Sequence, residues 1–239
     1  MNEVEVNGKL ISFDTFDKLD KSTILTFDAQ SCERLVSLHL PAAKYVYASF
    51  CPSLVSLNLP AATWVDARGC TSLISLNLPV ATSVDASFCP LLVSLNLPLA
   101  TSVDVSGCTS LVSLDLPAST WVGARDCESL VSLDIPAVTD LDISGCTSLA
   151  YLKLPAATSV DARDCRSLVS LDLPAVTDLD AGGCTSLVSM NLPAATHLDV
   201  RGCTGLSADV LTHLKVQCGE NLMLDIPDDI VQVVSLHDL

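Results

Sequence analysis

Ten thiols at a fixed spacing are the first feature of this chain that could do chemistry. Cys32, Cys51, Cys70, Cys89, Cys108, Cys127, Cys146, Cys165, Cys184 and Cys203 follow one another at intervals of 19 residues, and only Cys218 is out of phase. Neighbouring strands stack about 4.8 Å apart and a disulfide spans Cα separations of about 4.4–6.8 Å, so bridges between successive copies are within reach. Metal ligation asks for convergent ligands with mixed spacing such as Cys-x-x-Cys, and the sequence contains none. Identical phase instead sends every thiol the same way, into a core, as a small apolar group. A reduced ladder fits a reducing compartment. Of the three readings, the structural one is favoured.

A second column is acidic: Asp28, Asp66, Asp85, Asp104, Asp142, Asp161, Asp180 and Asp199, with Tyr47 and Gly123 in the same phase of two other copies. Carboxylates stacked about 4.8 Å apart in water repel by about 1 kcal/mol per pair. Arg68, Arg125, Arg163 and Arg201 lie two residues further along and can bridge to the aspartates of their own or adjacent copies. Capping of a turn by the Asp side chain is another use for the column. Calcium is a third, but it needs six to eight oxygens, and the Gly-rich nonapeptide of calcium-binding β-rolls is absent. The expectation is therefore no metal and no cofactor. A further column pairs Ser with Asn or Asp, as in Ser75/Asn77 and Ser113/Asp115, and reads as a solvated face with side-chain hydrogen-bond ladders. A flat array matching a repetitive ligand is its sharper alternative.

Deviations from the pattern single out binding residues. Two positions before the Asp column stand Tyr45, Trp64, Ser83, Ser102, Trp121, Asp140, Ser159, Asp178 and His197. Their side chains are expected to point outward, so Tyr45, Tyr47 and Trp64 form an aromatic cluster near the N-terminal end, and Trp121 sits beside Gly123 and Arg125. Exposed Trp, Tyr and Arg dominate binding hot spots, although single exposed rings are ordinary surface packing. The candidate partner-binding set is Tyr45, Tyr47, Trp64, Trp121, Arg68, Arg125, Arg163, Arg201 and His197. Catalysis finds no support: His39, His197, His213 and His237 are scattered, and no phosphate loop, dinucleotide fingerprint or unique carboxylate pair stands out.

The elements that must position these columns follow from the repeat. One copy runs Cys70-Thr-Ser-Leu73-Ile-Ser-Leu76-Asn77-Leu78-Pro79, then Val80-Ala-Thr82-Ser-Val84-Asp85-Ala86, and no insertion breaks the register from Cys32 to Leu206. A fixed short period marks stacked units that cannot bury their apolar sides alone. Leu76 and Leu78 alternate with Ser75 and Asn77, and Val84 and Ala86 with Ser83, Asp85 and Ser87, which is the period of a strand with one face inward. Nineteen residues leave no space for a helix beside a strand. The fold class expected is mainly β, a right-handed leucine-rich-repeat β-solenoid with two short parallel strands per coil and two parallel sheets, turning at Pro79 and before each Cys. Each Pro ends its strand without costing a ladder bond.

Both ends read as covers, which a solenoid needs because an open end exposes core and strand edges. Residues 1–31 give an N-terminal cap, with a Val4–Ile11 hairpin turning at Asn7-Gly8 and a degenerate repeat from Phe13 to Ser31 with Phe16, Leu19, Phe27, Asp28 and Ala29 in consensus phases. Residues 32–206 give nine full repeats plus the start of a tenth. Residues 207–239 give a C-terminal cap: a short helix behind Ser207 as N-cap, then an irregular coil through Leu222–Pro227 and Val231–Val234.

The pattern Cys-x-x-Leu-x-x-Leu-x-Leu-Pro, as in Cys108 to Pro117, resembles the BspA-like, or treponemal, class of bacterial leucine-rich repeat over residues 32 to about 206. The units here are several residues shorter and lack that class's Ala-Phe block. The resemblance implies adhesion to partner proteins or, as in other bacterial leucine-rich proteins, delivery into host cells as an effector; fold class alone does not fix function. The net charge of −16 disfavours nucleic acid and anionic membrane surfaces and leaves basic proteins, cationic patches or divalent cations. The mean hydropathy of +0.48 is high, yet the one long uncharged stretch, Ala86 to Val103, carries Pro90 and Pro98 and repeats a pattern found along the whole chain, so no membrane insertion is expected. No secretory signal is visible at the N-terminus. The expectation is a monomeric, non-catalytic scaffold for an unidentified protein partner, cytoplasmic or delivered to a host cell without a cleavable signal peptide; its alternative is a structural or surface-array solenoid binding calcium or a repetitive ligand.

Overall fold

A computed structural model of the chain describes residues 3–218 and 222–226; Pro227 and Val231–Val234 of the expected irregular C-terminal coil lie outside them. The chain is a mainly β, parallel solenoid of about nine turns with a 19-residue spacing. Each coil carries two three-residue strands, as in Ser75–Asn77 and Ser83–Asp85. The second strands stack in register, Val65 on Val84 on Val103. Inward Leu, Val, Ala and Cys from every coil form one continuous core.

Local rules of the repeat explain the turns. The Ala81 N–H donates to the Leu78 carbonyl across Pro79-Val80 at 3.3 Å, a β-turn whose i+1 position suits the fixed φ of proline. The same bond recurs from Ala62, Ala100, Ser119, Val138, Val176 and Ala195. At the other corner the Cys108 N–H closes a turn onto Val105, with Gly107 at φ +74° in the third position, where a positive φ is demanded.

That left-handed corner follows an alternation that the sequence reading did not isolate. Its occupants run Ser31, Phe50, Gly69, Phe88, Gly107, Asp126, Gly145, Asp164, Gly183 and Gly202, all at positive φ, with side chain and glycine alternating from Phe50 to Gly183. A Cβ added to Gly69 would lie 2.5 Å from the Phe50 ring, and one on Gly107 would lie 2.7 Å from that of Phe88. From Phe50 on, each side chain at the corner folds over the bare glycine of the next coil. A side chain at Gly69, Gly107, Gly145 or Gly183 would collide with the one before it, so from Phe50 to Gly183 the structural period at this corner is two coils.

The second strands form one continuous ladder, but the first strands do not form the single sheet expected. They pair in three separate three-stranded groups, with breaks between Ser75–Asn77 and Ser94–Asn96 and between Ser132–Asp134 and Tyr151–Lys153. Leu76 and Leu133, the inward residues at the breaks, are partly exposed, whereas Leu57, Leu95, Leu114 and Leu152 are buried. At those two breaks the first strands are not paired with one another, while the second-strand ladder runs on unbroken.

The N-terminal hairpin, β1 (Glu3–Val6) and β2 (Lys9–Ser12), turns at Asn7 and Gly8, both at positive φ. It closes the sheet edge by pairing antiparallel with Thr26–Asp28. The expected degenerate repeat is corrected in its first half. A short helix α1 (Phe13–Asp17) and a 3₁₀ turn (Lys21–Thr23) replace the first strand. Phe13, Phe16 and Ile24 fill the core there, and Leu19 is exposed. At the other end α2 (Ala208–Cys218) buries Leu211 and Leu214, and the Ser207 hydroxyl accepts the Val210 N–H at 3.4 Å, as an N-cap does. A final strand, Met223–Asp225, pairs with His197–Asp199.

Gly107→Ala should cost at least the roughly 1–2 kcal/mol of a left-handed non-glycine residue, plus the collision with Phe88. Adding Phe88→Gly should recover the collision, so denaturant melts of the double-mutant cycle should show strong favourable coupling. Simple additivity would mean that the ring does not lie over the glycine.

Candidate functional site

Each in-phase column hydrogen-bonds a backbone group at one corner of the coil. All eleven cysteines are free, and the ten in phase are buried. From Cys51 to Cys203 each in-phase thiol donates to the carbonyl 22 residues earlier, at 2.9–3.3 Å. The Ala124 carbonyl, for example, takes the Cys127 N–H at 3.3 Å and the Cys146 Sγ at 3.2 Å. Burial pushes the Cys89 thiol up to about 12 and that of Cys108 up to about 11. These groups stay protonated at neutral pH, which suits a donor and disables a nucleophile.

The aspartates act on the opposite kind of group. Every member of the column accepts, on Oδ1, the N–H two residues ahead, at 2.9–3.2 Å. This is the Asx turn anticipated as one of the column's uses. The serines of Ser87 and Ser144 add a hydroxyl bond of 2.6 Å to the same oxygen, and are buried rather than outward as expected. Ser49 occupies their place behind Tyr47 instead of an Asp, and its buried hydroxyl has no partner. A Thr column missed in the sequence does the same service at the other corner. From Thr63 to Thr196 each Oγ1 donates to the carbonyl 19 residues earlier, at 2.9–3.3 Å.

The arginines are exposed and paired with the Asp column. Arg68 reaches Asp66 at 3.3 Å and Asp85 at 3.8 Å. Arg125 reaches Asp142 at 2.7 Å, Arg163 bridges Asp161 at 2.6 Å and Asp180 at 3.5 Å, and Arg201 pairs with Asp199. Exposed pairs of this kind contribute about 0.2–1 kcal/mol each. Among the described residues no group of three His, Cys, Asp or Glu side chains converges as a metal site requires. No helix among them is long and apolar enough to cross a membrane.

The aromatic candidates divide into two places. Tyr47 and Trp64 pack ring on ring, centroids 4.5 Å apart, and both are half-buried, while Tyr45 beside them is half-exposed. Asp66 follows Trp64 on the same strand and is the one buried carboxylate of the column. Three coils on, Trp121 is exposed, and its ring edge lies 3.1 Å from where a Cβ on Gly123 would stand. The missing side chain at 123 is what lets the indole lie down along its own strand. Between the two indoles is a cleft of about 260 Å³ lined by Trp64, Ser83, Val84, Asp85, Ser102, Asp104 and Trp121. Arg163, Arg201 and His197 stand two to four coils beyond Trp121 and are not part of it; the His197 ring bonds the Thr196 hydroxyl at 3.2 Å. A stripe of exposed apolar residues along the opposite corner, Val36, Val55, Ile74, Val93, Val112 and Val131, with Phe50 and Phe88 nearby, was also missed. Its signal, an apolar residue beside the inward Leu in every copy, was present.

No protein-family model matches the chain, and no curated protein matches it. Among solved structures it is similar to the leucine-rich repeat domain of the type III effector XopL, with 17% identity, 83% of this chain and 78% of that one covered, and a TM-score of 0.34. The neighbour is thus a leucine-rich repeat domain, and the comparison reaches no further than that.

Native-state titration with an aromatic disulfide reagent should modify the half-buried Cys218 first and leave the ten column thiols unreacted until the chain unfolds. Rapid native labelling of more than one thiol would contradict the ladder. Acid should also separate the aspartates. Burial raises Asp66. Arg201 lowers Asp199, and at Asp142 burial pulls upward but the Ser144 hydroxyl and Arg125 outweigh it, for a net lowering. The stability contributed by Asp142 and Asp199 is complete above the ordinary carboxylate range and is lost as pH falls through their depressed folded values, whereas Asp66 protonates earlier and favours the fold in doing so. Carboxyl-detected NMR should show Asp66 titrating above both; the reverse order would refute the assignment.

Proposed function

We propose that this chain is a non-catalytic leucine-rich repeat scaffold whose second-strand face binds a protein partner through Tyr45, Tyr47, Trp64, Arg68, Trp121 and Arg125. One observation carries the reading: Tyr47 and Trp121 mark the two coils that lack the capping Asp, and Trp64 packs on Tyr47. Tyr47 replaces a capping Asp and leaves the Ser49 hydroxyl unpartnered. Trp121 lies over a glycine in the capping phase. Trp64 stands two residues before the only buried aspartate of the column. Beyond the packing of Tyr47 on Trp64, folding gains nothing evident from these exceptions, and exposed Trp, Tyr and Arg are the residues that concentrate binding energy.

In this reading the chain is a monomeric interaction module of the cytoplasm, or a bacterial effector acting inside a host cell, related to the BspA-like class by its Cys-x-x-Leu-x-x-Leu-x-Leu-Pro units. The reduced, buried thiols suit such a reducing compartment.

Trp64→Ala with Trp121→Ala should leave the melting temperature within a few degrees of the parent, since surface substitutions are usually within about 0.5 kcal/mol. The same change should abolish retention of a partner in quantitative affinity capture. Unchanged capture by the folded double variant would sink the proposal.

A further inference from the structure

The cleft between Trp64 and Trp121 has a feature that the rest of the sheet lacks. Elsewhere from Asp66 to Asp199 each column carboxylate has an arginine within ion-pair distance, but Asp104 has none among the described residues, and Asp85 is reached only by Arg68 of the preceding coil, at 3.8 Å. The reason is in the sequence. Arg68 and Arg125 occupy the position two residues past the Asp phase in the flanking coils, and Ser87 and Ser106 occupy it in the two coils between. Those are the same two coils in which Ser83 and Ser102 stand in the aromatic phase, so the face drops to a serine floor between two indole walls. Trp64 and Trp121 belong to strands three steps apart, roughly 14 Å at the usual strand spacing. The Oδ1 atoms of Asp85 and Asp104 are committed to the Ser87 and Ser106 N–H groups, which leaves Oδ2 on each turned to other use. No lysine or arginine lines the cleft.

Resting on the scaffold reading above, we propose that this cleft takes an arginine or lysine side chain from a basic, extended segment of the partner protein. The cation sits against Oδ2 of Asp85 and Asp104, in the place an arginine of this chain fills in other coils. The alkyl stem packs against one of the two indoles, where a cation is also drawn to the ring quadrupole, and the flanking residues of the segment reach the other. An uncharged ligand such as a saccharide could stack on the same walls but would leave two neighbouring carboxylates facing each other uncompensated. The net charge of −16 adds long-range attraction for a basic segment.

The chain's only two tryptophans are the walls of the cleft, so its intrinsic emission reports occupancy directly. Titrating the full chain with a capped Ala-Arg-Ala-Arg-Ala peptide should give a saturable change in emission. The isosteric peptide with citrulline for arginine, which keeps the shape and removes the charge, should bind at least about tenfold more weakly. Asp104→Asn retains an oxygen able to cap the Ser106 N–H and should weaken the arginine peptide by a similar factor. Asp178→Asn, the same charge change on an exposed residue of the same sheet outside the cleft, should have little effect. Equal binding of the two peptides to the unaltered chain, equal losses in the two variants, or a response to maltohexaose without one to the arginine peptide would each overturn the proposal. Partner capture that depends on Trp64 and Trp121 in the absence of any arginine response would sink this inference alone. An arginine response without such capture would sink the scaffold reading alone.

Discussion

The structure depends on one constraint: successive coils are locked in phase, so every backbone group at a corner recurs in the same surroundings in every turn. A buried polar group without a partner costs about 1–3 kcal/mol, and a period without insertions multiplies any such defect along the whole stack. The repeat sets one polar side chain against each corner, beside the backbone bonds that the carbonyls there already accept. The thiol of each in-phase Cys from Cys51 to Cys203 supplies a donor to a corner carbonyl. The Asp side chain supplies an acceptor to an outward N–H, and the Thr hydroxyl supplies a donor at the corner after Pro. These three residue types are retained in the period because they complete the backbone, and the core Leu and Val positions then need only fill volume.

Phase locking also places like on like, and the penalty takes a different form in each column. Identical leucines or thiols stack without conflict. Aspartates repel, and the arginines bridge them within a coil and across to the next. Bulky residues at the left-handed corner would overlap, and alternation with glycine resolves it. The solenoid is therefore periodic at 19 residues in its core and at twice that at one corner, because hydrogen bonding repeats with the coil while excluded volume there repeats with the pair.

Much of the fold was legible because its signals are periodic. Ten cysteines in phase implied stacked coils; Leu76 with Leu78, and Val84 with Ala86, implied the inward faces; Asn7-Gly8 and Ser207 marked the ends. What escaped reading depended on distances between coils. The sequence shows Phe50 and Gly69 as unrelated variants of one position, and only their stacking shows that one covers the other. The breaks in the first-strand ladder have no shared residue signature, so no column announces them. Leu19 falls in the phase of an inward leucine yet is exposed, because α1 shifts the path of the chain before the regular period begins. At the candidate site, Trp64 and Trp121 were legible as deviations, but the cleft between them was not, since it is defined by two coils of serines that look like ordinary repeats.

A perfectly regular solenoid presents a surface that is the same at every step, so a partner could bind it in many registers and prefer none. Specific recognition needs positions where the translation symmetry fails, and each failure forfeits part of the capping that stabilises the other coils. In this chain the coils of Tyr47 and Trp121 both give up the Asp cap. By analogy with helix N-caps, such a loss costs about 0.5–2 kcal/mol. Trp64 leaves its coil's Asp in place, but as the one buried carboxyl of the column. Ring size explains why the cap is what gives way. An indole at the aromatic phase must lie either along its own strand, over the capping position, or across to the next coil, onto that coil's side chains. Trp121 takes the first route over Gly123, and Trp64 meets Tyr47 of the coil before it. The two routes leave the serine coils between them uncovered, and under the proposed reading the same substitutions that break the regular surface also fix where on the stack a partner seats.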